Sequence, residues 1–499
     1  MQVKAKLMSA ACASALAAFS GAASAQFATP DVTIFVSGAS APQNTIQAVA
    51  DSLFEAAGKF VYFDSGAAGL TDDGALHRSY FGTIKAGPGV PAGLVGKTAR
   101  IDNRARGGSV FGVNPVARAE AIENMEISAT NCPTIISGIY RCNTPVTGTN
   151  LQVPDAGVSD VAPRFFLDPL NVEFGSTQLT PAEGAVLEVQ PLQGLGMGIV
   201  ATSNVPNTTV FTRSNYLKLL NGVVFDWNKI NGAIPAGTGV VVCRRANGSG
   251  TQTSYNWYMN NFPCGSGVVS GASGAPNPLT MADSSGGYER FSGTAADPDI
   301  VFADPAGVTV LENSSSGNVR DCLTKAFSGG VHTFLDGEGR TVTVDFGAGG
   351  FYGMGVLSLD SYGRGGTAWS FRNLNGAGTY DVNRTTGAVT TAGPGTGVAP
   401  SKANLLSTAY DFVAEVTGQY RKVTVSGVPA LSGDKLDLTK QLFNGLASAS
   451  ILNGVSAPAV VAANVGLPGV GGNVLGGTNV AEAKRGGSAG AGNICAPLF

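Results

Sequence analysis

The sequence predicts an α/β protein whose open sheets are flanked by helices and divided between two lobes. Two segments show the alternation of strands and helices most clearly. The apolar residues 32–36 lead through a turn of small residues into an apolar helical face at 46–54, and residues 240–243 lead through a glycine-containing turn into a helix over 252–260. Such alternation favours open sheets covered by helices. A chain of 499 residues is long enough for more than one core, which favours two lobes.

The other predicted elements continue this pattern. A long buried strand is expected at residues 186–200, where it would cross between the lobes. The remaining predictions are a strand at 60–63 and helices at 216–220, 316–327 and 405–415.

The N-terminus has the features of a secretory signal peptide. Lys4 and Lys6 precede an Ala-rich apolar run, and Ala23-Ser24-Ala25 gives the small-residue pattern that a signal peptidase cleaves. We place cleavage after Ala25 and expect export of the Gram-negative bacterial type, to the periplasm or to the medium. No later stretch has the roughly 18 uninterrupted apolar residues of a membrane span, so the mature chain is predicted not to cross a membrane.

Composition restricts the classes of ligand and partner. The formal net charge is −3 and only 13% of the residues are charged, which argues against nucleic-acid binding. With no broad basic surface, an anion would have to be bound in a local pocket. The 70 glycines favour many turns and long loops and argue against a helical bundle. We expect a monomer without a cofactor or a metal.

Six cysteines remain after the predicted cleavage, and an even number in an exported chain predicts disulfides. Sequence spacing favours Cys132–Cys142 and Cys243–Cys264 as local loops, which leaves Cys322–Cys495 to hold the tail against the body. A metal site is disfavoured because the sequence has no Cys-x-x-Cys motif and only two histidines.

The segment 245–251, Arg-Ala-Asn-Gly-Ser-Gly-Thr, is the strongest candidate for binding chemistry. A strand ends at Arg245, whose guanidinium can bond two oxygens of a tetrahedral anion. Gly248 and Gly250 let the backbone turn tightly, and the helix that follows presents unpaired N–H groups and the positive end of its dipole. Ser249 and Thr251 add hydroxyl donors. A plain helix start with a surface arginine is the alternative reading of this segment taken alone.

Asp160, in a Ser-Asp pair with Ser159, adds a carboxylate to this chemistry. A carboxylate repels a fully charged anion but accepts a hydrogen bond from one that keeps a proton. It would therefore favour hydrogen phosphate over sulfate, which would leave the carboxylate unpaired. Taken alone, Asp160 also fits a simple helix cap.

Together with two further stretches, these segments resemble the periplasmic phosphate-binding proteins of ABC phosphate importers, which have the type 2 periplasmic-binding-protein fold. The stretches that carry the resemblance are residues 36–42, 64–69, 157–163 and 245–251. The resemblance implies a two-lobed α/β fold with inorganic phosphate, or a similar oxyanion, in the cleft between the lobes. It also implies an ABC permease as a partner.

The resemblance also implies roles for individual residues. Arg245, Ser249, Gly250 and Thr251 would bind phosphate oxygens from lobe 2, and Asp160 would accept the phosphate proton from lobe 1. Ser65 would donate its hydroxyl, and the backbone at Ser40 and Ala41 would donate N–H groups. Ser159 and Asn247 would lie behind these residues. By this reading the chain divides into 1–25 (signal peptide), 26–192 (first part of lobe 1, with an insertion at about 70–154), 193–350 (lobe 2) and 351–499 (return to lobe 1 and Gly-rich tail).

Two departures from the family pattern leave alternatives open. Asn247 stands where the family usually has Asp, and a long inserted stretch separates Ser65 from Asp160. In this insertion Arg104, Arg106 and Ser109 would either add anion contacts or lie on the solvated surface. A secreted surface or matrix protein that has lost transport is one alternative function. A phosphatase-like relative is another, although the Gly-x-Ser-x-Gly match at 486–490 follows no predicted strand.

Overall fold

The computed structural model describes residues 26–64, 75–146, 148–168, 171–172, 177–220, 224, 226–262, 289–294, 297–301, 308–335, 341–383, 388–393, 395–448, 450–452, 462–465 and 480–483. The predicted signal peptide 1–25 lies outside these residues, as do Ser65, Cys264, Cys495 and the segment 486–490. Within the described residues, none of the helices combines the length and the apolar character that crossing a bilayer requires.

Strands dominate the first half of the chain. They are β1 (Val32–Gly38), β2 (Phe60–Asp64), β3 (His77–Thr83), β4 (Thr98–Arg104), β5 (Ile122–Glu123), β6 (Thr134–Ile136), β7 (Ile139–Cys142), β8 (Leu151–Gln152), β9 (Ala156–Ser159) and β10 (Leu187–Thr202). The helices of this half are α1 (Gln43–Leu53), α2 (Asn114–Arg118) and α3 (Pro181–Ala185). A 3₁₀ turn, Ser109–Gly112, leads into α2.

In the second half, strands and helices alternate more regularly. The strands are β11 (Val240–Arg245), β12 (Glu289–Thr294), β13 (Asp297–Val301), β14 (Val308–Asn313), β15 (Val331–Leu335), β16 (Thr341–Asp345), β17 (Gly353–Ser358), β18 (Trp369–Arg372), β19 (Thr379–Val382), β20 (Val389–Ala392), β21 (Val413–Arg421), β22 (Ala462–Val465) and β23 (Val480–Ala483). The helices are α4 (Arg213–Leu220), α5 (Gly250–Asn260), α6 (Ser316–Ser328), α7 (Lys402–Leu406) and α8 (Gly433–Leu446).

Two large mixed sheets share β10, which confirms the predicted buried strand that crosses from one half of the fold to the other. The first part of β10 pairs with β21 and β22, in a sheet of order β6-β7-β2-β3-β4-β1-β9-β21-β10-β22-β23. The second part pairs with β17 and β18, in a sheet of order β14-β11-β17-β10-β18-β19-β20. The fold is therefore α/β, as predicted.

Helices cover both sheets because each presents an apolar stripe to strands that are buried along most of their length. In α1 the residues Ile46, Val49, Ala50 and Leu53 are buried, at the spacing of one helical face. This helix packs closely against α8, where a Cβ at Gly445 would lie 2.6 Å from Val49. In the second sheet, α6 packs over β11 and β17.

A smaller sheet of order β12-β13-β16-β15 accompanies the second large sheet. It follows the long Gly-rich stretch after α5, and its strands β15 and β16 come directly after α6. We call this four-stranded unit the accessory sheet.

One predicted element needs correction. The predicted helix at 405–415 is wrong: α7 ends at Leu406, Thr408 has a positive φ of 61° that ends the helical path, and β21 begins at Val413. The strands β17–β20 belong to the second sheet, and the chain returns to the first sheet at β21. The phenylalanine, valine and threonine residues around β21 suit a pleated strand better than a helix.

The disulfide predictions are partly right. Cys132–Cys142 is present as predicted. Cys243, however, bonds Cys322, with a Cα–Cα distance of 6.0 Å, so the predicted pairs Cys243–Cys264 and Cys322–Cys495 are wrong. The reason is tertiary: α6 packs over β11 and brings two cysteines 79 positions apart into contact, which sequence spacing alone does not reveal.

Candidate functional site

The carboxyl ends of parallel strands from both sheets meet at one place. In the first sheet these strands are β1, β4 and β9, and in the second sheet they are β11, β14 and β17. In α/β sheets, ligands bind in the crevice outside the carboxyl ends of the strands. The residues that follow β4, β9 and β11 are in direct contact there, and they form the candidate site.

The segment 245–251 forms the turn that the sequence predicts. Strand β11 ends at Arg245, Gly248 adopts a φ of +84°, and α5 begins at Gly250 with Ser249 as its N-cap. The Ser249 side chain makes no capping hydrogen bond. Its Oγ is buried and has no hydrogen-bond partner among the described residues, so it is available to a ligand at the helix start.

Hydrogen bonds hold Arg245 on the side of the site that the second large sheet forms. Its Nε donates to the Asn313 carbonyl at 3.3 Å, one terminal nitrogen donates to the Ser314 carbonyl at 2.8 Å, and the other donates to the Ser316 hydroxyl at 3.0 Å. The side chain is 5% exposed. A guanidinium fixed in this way provides a buried positive charge of defined orientation, which suits oxyanion binding.

Asp160 faces this charge from the first sheet. Its side chain is buried, and its Oδ1 has no hydrogen-bond partner among the described residues. Burial raises the pKa of the Asp160 carboxyl to about 7, against the opposing influence of the Arg245 charge and a hydrogen bond with Ser109. The group is therefore poised to change between donor and acceptor near neutral pH.

Ser109, in the segment that follows β4, contacts Asp160 and approaches the start of α5. Its hydroxyl oxygen accepts a hydrogen bond from the Asp160 backbone N–H at 3.0 Å. The neighbouring Val110 N–H donates to the Gly248 carbonyl at 3.0 Å, across from β4 to the turn after β11. The insertion predicted at about 70–154 therefore contributes directly to the site.

At Gly250 the start of α5 comes very close to the segments that follow β4 and β9. A Cβ at this position would lie 2.3 Å from Ser109 Oγ and 2.5 Å from Asp160 Cβ. Non-bonded contacts of a Cβ atom are essentially never this short, so glycine is required at the first position of α5. Thr251, the next residue, is also buried.

The other predicted residues differ in how close they come to this centre. Ser40 and Ala41 follow β1 and lie at the same edge of the sheet as Asp160, but Ser65 lies outside the described residues. The Ser159 hydroxyl donates to the Val161 carbonyl at 2.6 Å, so it shapes the turn that carries Asp160. The Asn247 amide oxygen accepts from Arg244 at 3.3 Å.

The two arginines of the insertion do not form a solvated surface patch. Arg104 is 3% exposed, donates to Glu123 at 2.6 Å and stacks over Phe111 with its Cζ 4.7 Å from the ring centroid. Arg106 is more exposed and lies 3.7 Å from the same carboxylate. The ion pairs of these two arginines with Glu123 hold the segment that leads from β4 to Ser109.

Sequence reasoning missed the residues that hold Arg245, namely Asn313, Ser314 and Ser316. Asn313 ends β14, and the two serines follow it in an Asn-Ser-Ser-Ser run that leads into α6, which is an ordinary helix-start signal. Sequence reasoning also missed Asp360, whose charge raises the Asp160 pKa further. The described residues contain no group of three or more His, Cys, Asp or Glu side chains that could hold a metal.

Three solved structures align with most of the chain at low similarity. A putative phosphate ABC transporter substrate-binding protein from Clostridium perfringens, with bound phosphate, is 12% identical, with 85% of this chain and 97% of that chain covered and a TM-score of 0.38. An ABC-type phosphate transport receptor from Vibrio cholerae is 11% identical, with 84% and 95% covered and a TM-score of 0.35. A high-affinity periplasmic phosphate-binding protein, PfluDING, is 14% identical, with 86% and 90% covered and a TM-score of 0.39.

No family model matches the chain, and no curated protein sequence is similar to it. At these identities and TM-scores the solved structures assign no residue roles to this chain. The chemistry of the site therefore rests on its own contacts.

Proposed function

We propose that the chain is an exported, non-enzymatic solute-binding protein that holds inorganic phosphate, or a similar tetrahedral oxyanion, between its two lobes. One observation carries this proposal. Two buried polar atoms without partners among the described residues, Asp160 Oδ1 and Ser249 Oγ, flank the N-terminus of α5 beside the fixed guanidinium of Arg245. Buried polar atoms are normally paired, so this combination favours a ligand that supplies the partners.

The types of group favour a phosphate-like ligand. Arg245, the first N–H groups of α5 and the Ser249 hydroxyl are donors suited to anionic oxygens. Asp160 is an acceptor when it is ionised, and it then requires a proton on the ligand. Hydrogen phosphate meets both requirements, because it has anionic oxygens for the donors and a proton for Asp160.

The biological setting is part of the proposal. A signal peptide and an oxyanion cleft suit a component of ABC-type phosphate uptake, with a permease as its partner. The predicted ligand contacts of Ser40, Ala41, Ser65, Gly250 and Thr251 remain proposals of the same kind. Recovery of the protein only from the culture medium would favour a secreted protein without a role in transport.

Titration calorimetry of the purified protein with phosphate tests the central claim. We expect a saturable isotherm, and at least a tenfold loss of affinity in Arg245→Ala, because charge-assisted bonds contribute roughly 1.5–3 kcal/mol each. Arg118→Ala is the matched control, since Arg118 pairs with Glu183 at 2.7 Å outside the site. A flat trace for the unmodified protein at millimolar phosphate would refute the proposal.

The same preparation tests the non-enzymatic part of the claim. We expect no release of phosphate from an aryl phosphate ester. Turnover that is lost in Asp160→Asn would instead indicate a phosphatase.

A further inference from the structure

The accessory sheet places a buried histidine directly behind the anion-binding turn. His332, in β15, is fully buried and stacks on Phe334 with ring centroids 4.6 Å apart. Its Nε2 lies 2.9 Å from Asn313 Oδ1, and its Nδ1 lies 2.6 Å from Asp321 Oδ2 on α6. Burying an imidazole is costly unless its nitrogens are bonded, so these contacts define its position.

Asn313 connects this histidine to Arg245. Its backbone carbonyl accepts from Arg245 Nε at 3.3 Å and from the Ala246 N–H at 2.9 Å. Its side-chain nitrogen donates to the Leu311 carbonyl at 2.9 Å and to the Arg244 carbonyl at 3.3 Å. Asn313 thus fixes the end of β11 through both its backbone and its side chain.

The orientation of the Asn313 amide determines what His332 contributes. Because Nδ2 is directed at two carbonyl oxygens, Oδ1 must be the atom that faces the histidine. Oδ1 is an acceptor, so His332 Nε2 must carry the hydrogen and donate it. Without that donor, Oδ1 would be a buried acceptor with its bond lost, and the amide would lose one of the hydrogen bonds that orient it.

We propose that His332 is a positioning residue for the oxyanion site: it orients Asn313, and Asn313 in turn holds Arg245 in the geometry that binds the ligand. The inference rests on the proposed phosphate-binding function. It gives the accessory sheet a role, because β15 carries the histidine and pairs with β16 over five residues, which keeps His332 facing Asn313.

Two conservative variants separate positioning from general stability. The side-chain nitrogen of Gln reaches the place of His332 Nε2, whereas that of Asn reaches only the place of Nδ1. We expect His332→Asn to weaken phosphate binding roughly tenfold, the loss expected for one buried hydrogen bond, and His332→Gln to restore binding to within roughly threefold of the unmodified protein. Thr333→Val is the control for the stability of β15 and should bind normally, because the Thr333 side chain is exposed and its hydroxyl contacts Thr343 at 3.4 Å.

Nuclear magnetic resonance provides a second readout, which is measured on the unmodified protein. The chain has two histidines, so His77→Gln assigns the imidazole signals directly. Phosphate should shift the Nε2 signal of His332 in the unmodified protein. The bound ligand would contact Arg245, which bonds the Asn313 carbonyl, and the Asn313 side chain bonds His332 Nε2.

The outcomes are distinct. Equal phosphate affinity in His332→Asn and the unmodified protein, or an imidazole signal that phosphate leaves unmoved, would overturn the positioning role alone. Failure of the unmodified protein to bind phosphate would overturn the proposed function itself.

Discussion

The backbone N–H of Asp160 donates to the hydroxyl oxygen of Ser109 at 3.0 Å, although 51 positions separate the two residues. This bond joins the turn after β9 to the connection after β4. It fixes the carboxyl group of Asp160 at the point where the turn after β11 approaches most closely. The proposed oxyanion site therefore depends on a residue of the predicted insertion.

Replacing Ser109 by alanine should weaken phosphate binding roughly tenfold, because the buried N–H of Asp160 loses its acceptor and the carboxyl group is no longer fixed. Calorimetry measures the change. Ser128→Ala is the control, since that hydroxyl bonds Glu126 at 3.1 Å elsewhere in the insertion. Unchanged affinity in Ser109→Ala would remove Ser109 from the site.

Gly250→Ala should push the start of α5 away from Ser109 and Asp160 and so disrupt the proposed binding site. The new Cβ would collide with Ser109 and Asp160, and overpacking of this kind costs about 1–3 kcal/mol, so we expect phosphate affinity to fall roughly tenfold or more. Gly317→Ala is a matched control in the first turn of α6, where the nearest atom to the new Cβ would be 3.5 Å away. In the presence of phosphate, small-angle scattering should show a larger radius of gyration for Gly250→Ala than for the unmodified protein. Equal compactness and affinity would contradict the prediction.

The stability of the ligand-free protein should decrease as the pH rises from about 4 to 7. Burial raises the pKa of Asp160 from 3.8 to about 7, so in this window the folded state binds a proton that the unfolded state has released. In Asp160→Asn this cost is absent, and the full effect is on the order of 4 kcal/mol. Thermal melts should therefore show that Asp160→Asn gains stability relative to the unmodified protein between pH 5 and pH 8. If the difference in stability between Asp160→Asn and the unmodified protein stays the same across this pH range, burial of Asp160 does not have the predicted cost.

The preference for phosphate over sulfate should increase with pH. Below about pH 7 the neutral Asp160 carboxyl donates to either anion, whereas above it the carboxylate accepts only from a ligand that carries a proton. Competition calorimetry at pH 6 and pH 8.5 should show the phosphate-to-sulfate affinity ratio rising by roughly tenfold. In Asp160→Asn, whose amide donates at every pH, the ratio should stay flat. A ratio independent of pH in the unmodified protein would argue against Asp160 as the discriminating group.

A peptide map under non-reducing conditions should recover Cys243 linked to Cys322. Replacing both by alanine should lower the free energy of unfolding by about 2–4 kcal/mol, because the bond closes a long loop. Recovery of Cys243 linked to Cys264 would show that the local pairing predicted by spacing is correct.

Local sequence patterns predicted the parts of the fold that depend on neighbouring residues. The apolar runs of β1, β10 and β11, and the glycines and hydroxyls that start α5, follow from steric and hydrogen-bonding preferences within a few positions. The helix predicted at 405–415 was wrong because an apolar run there suits either a helix or a strand. The pairing of β21 with β9 and β10 decided in favour of a strand. The sheet partners that settle such cases are far away in the chain.

The sequence by itself determined that Arg245 ends a strand, that α5 starts beside it, and that Asp160 supplies a carboxylate whose chemistry complements them. Tertiary structure alone decided that Ser109 contacts both Asp160 and Gly250, that Cys243 bonds Cys322, and that His332 reaches Asn313. Burial, which raises the pKa of Asp160 to about 7, is likewise a property of the folded chain. The physical reason is that these relationships arise where strands from two sheets end together, and no local preference encodes which distant residues meet there.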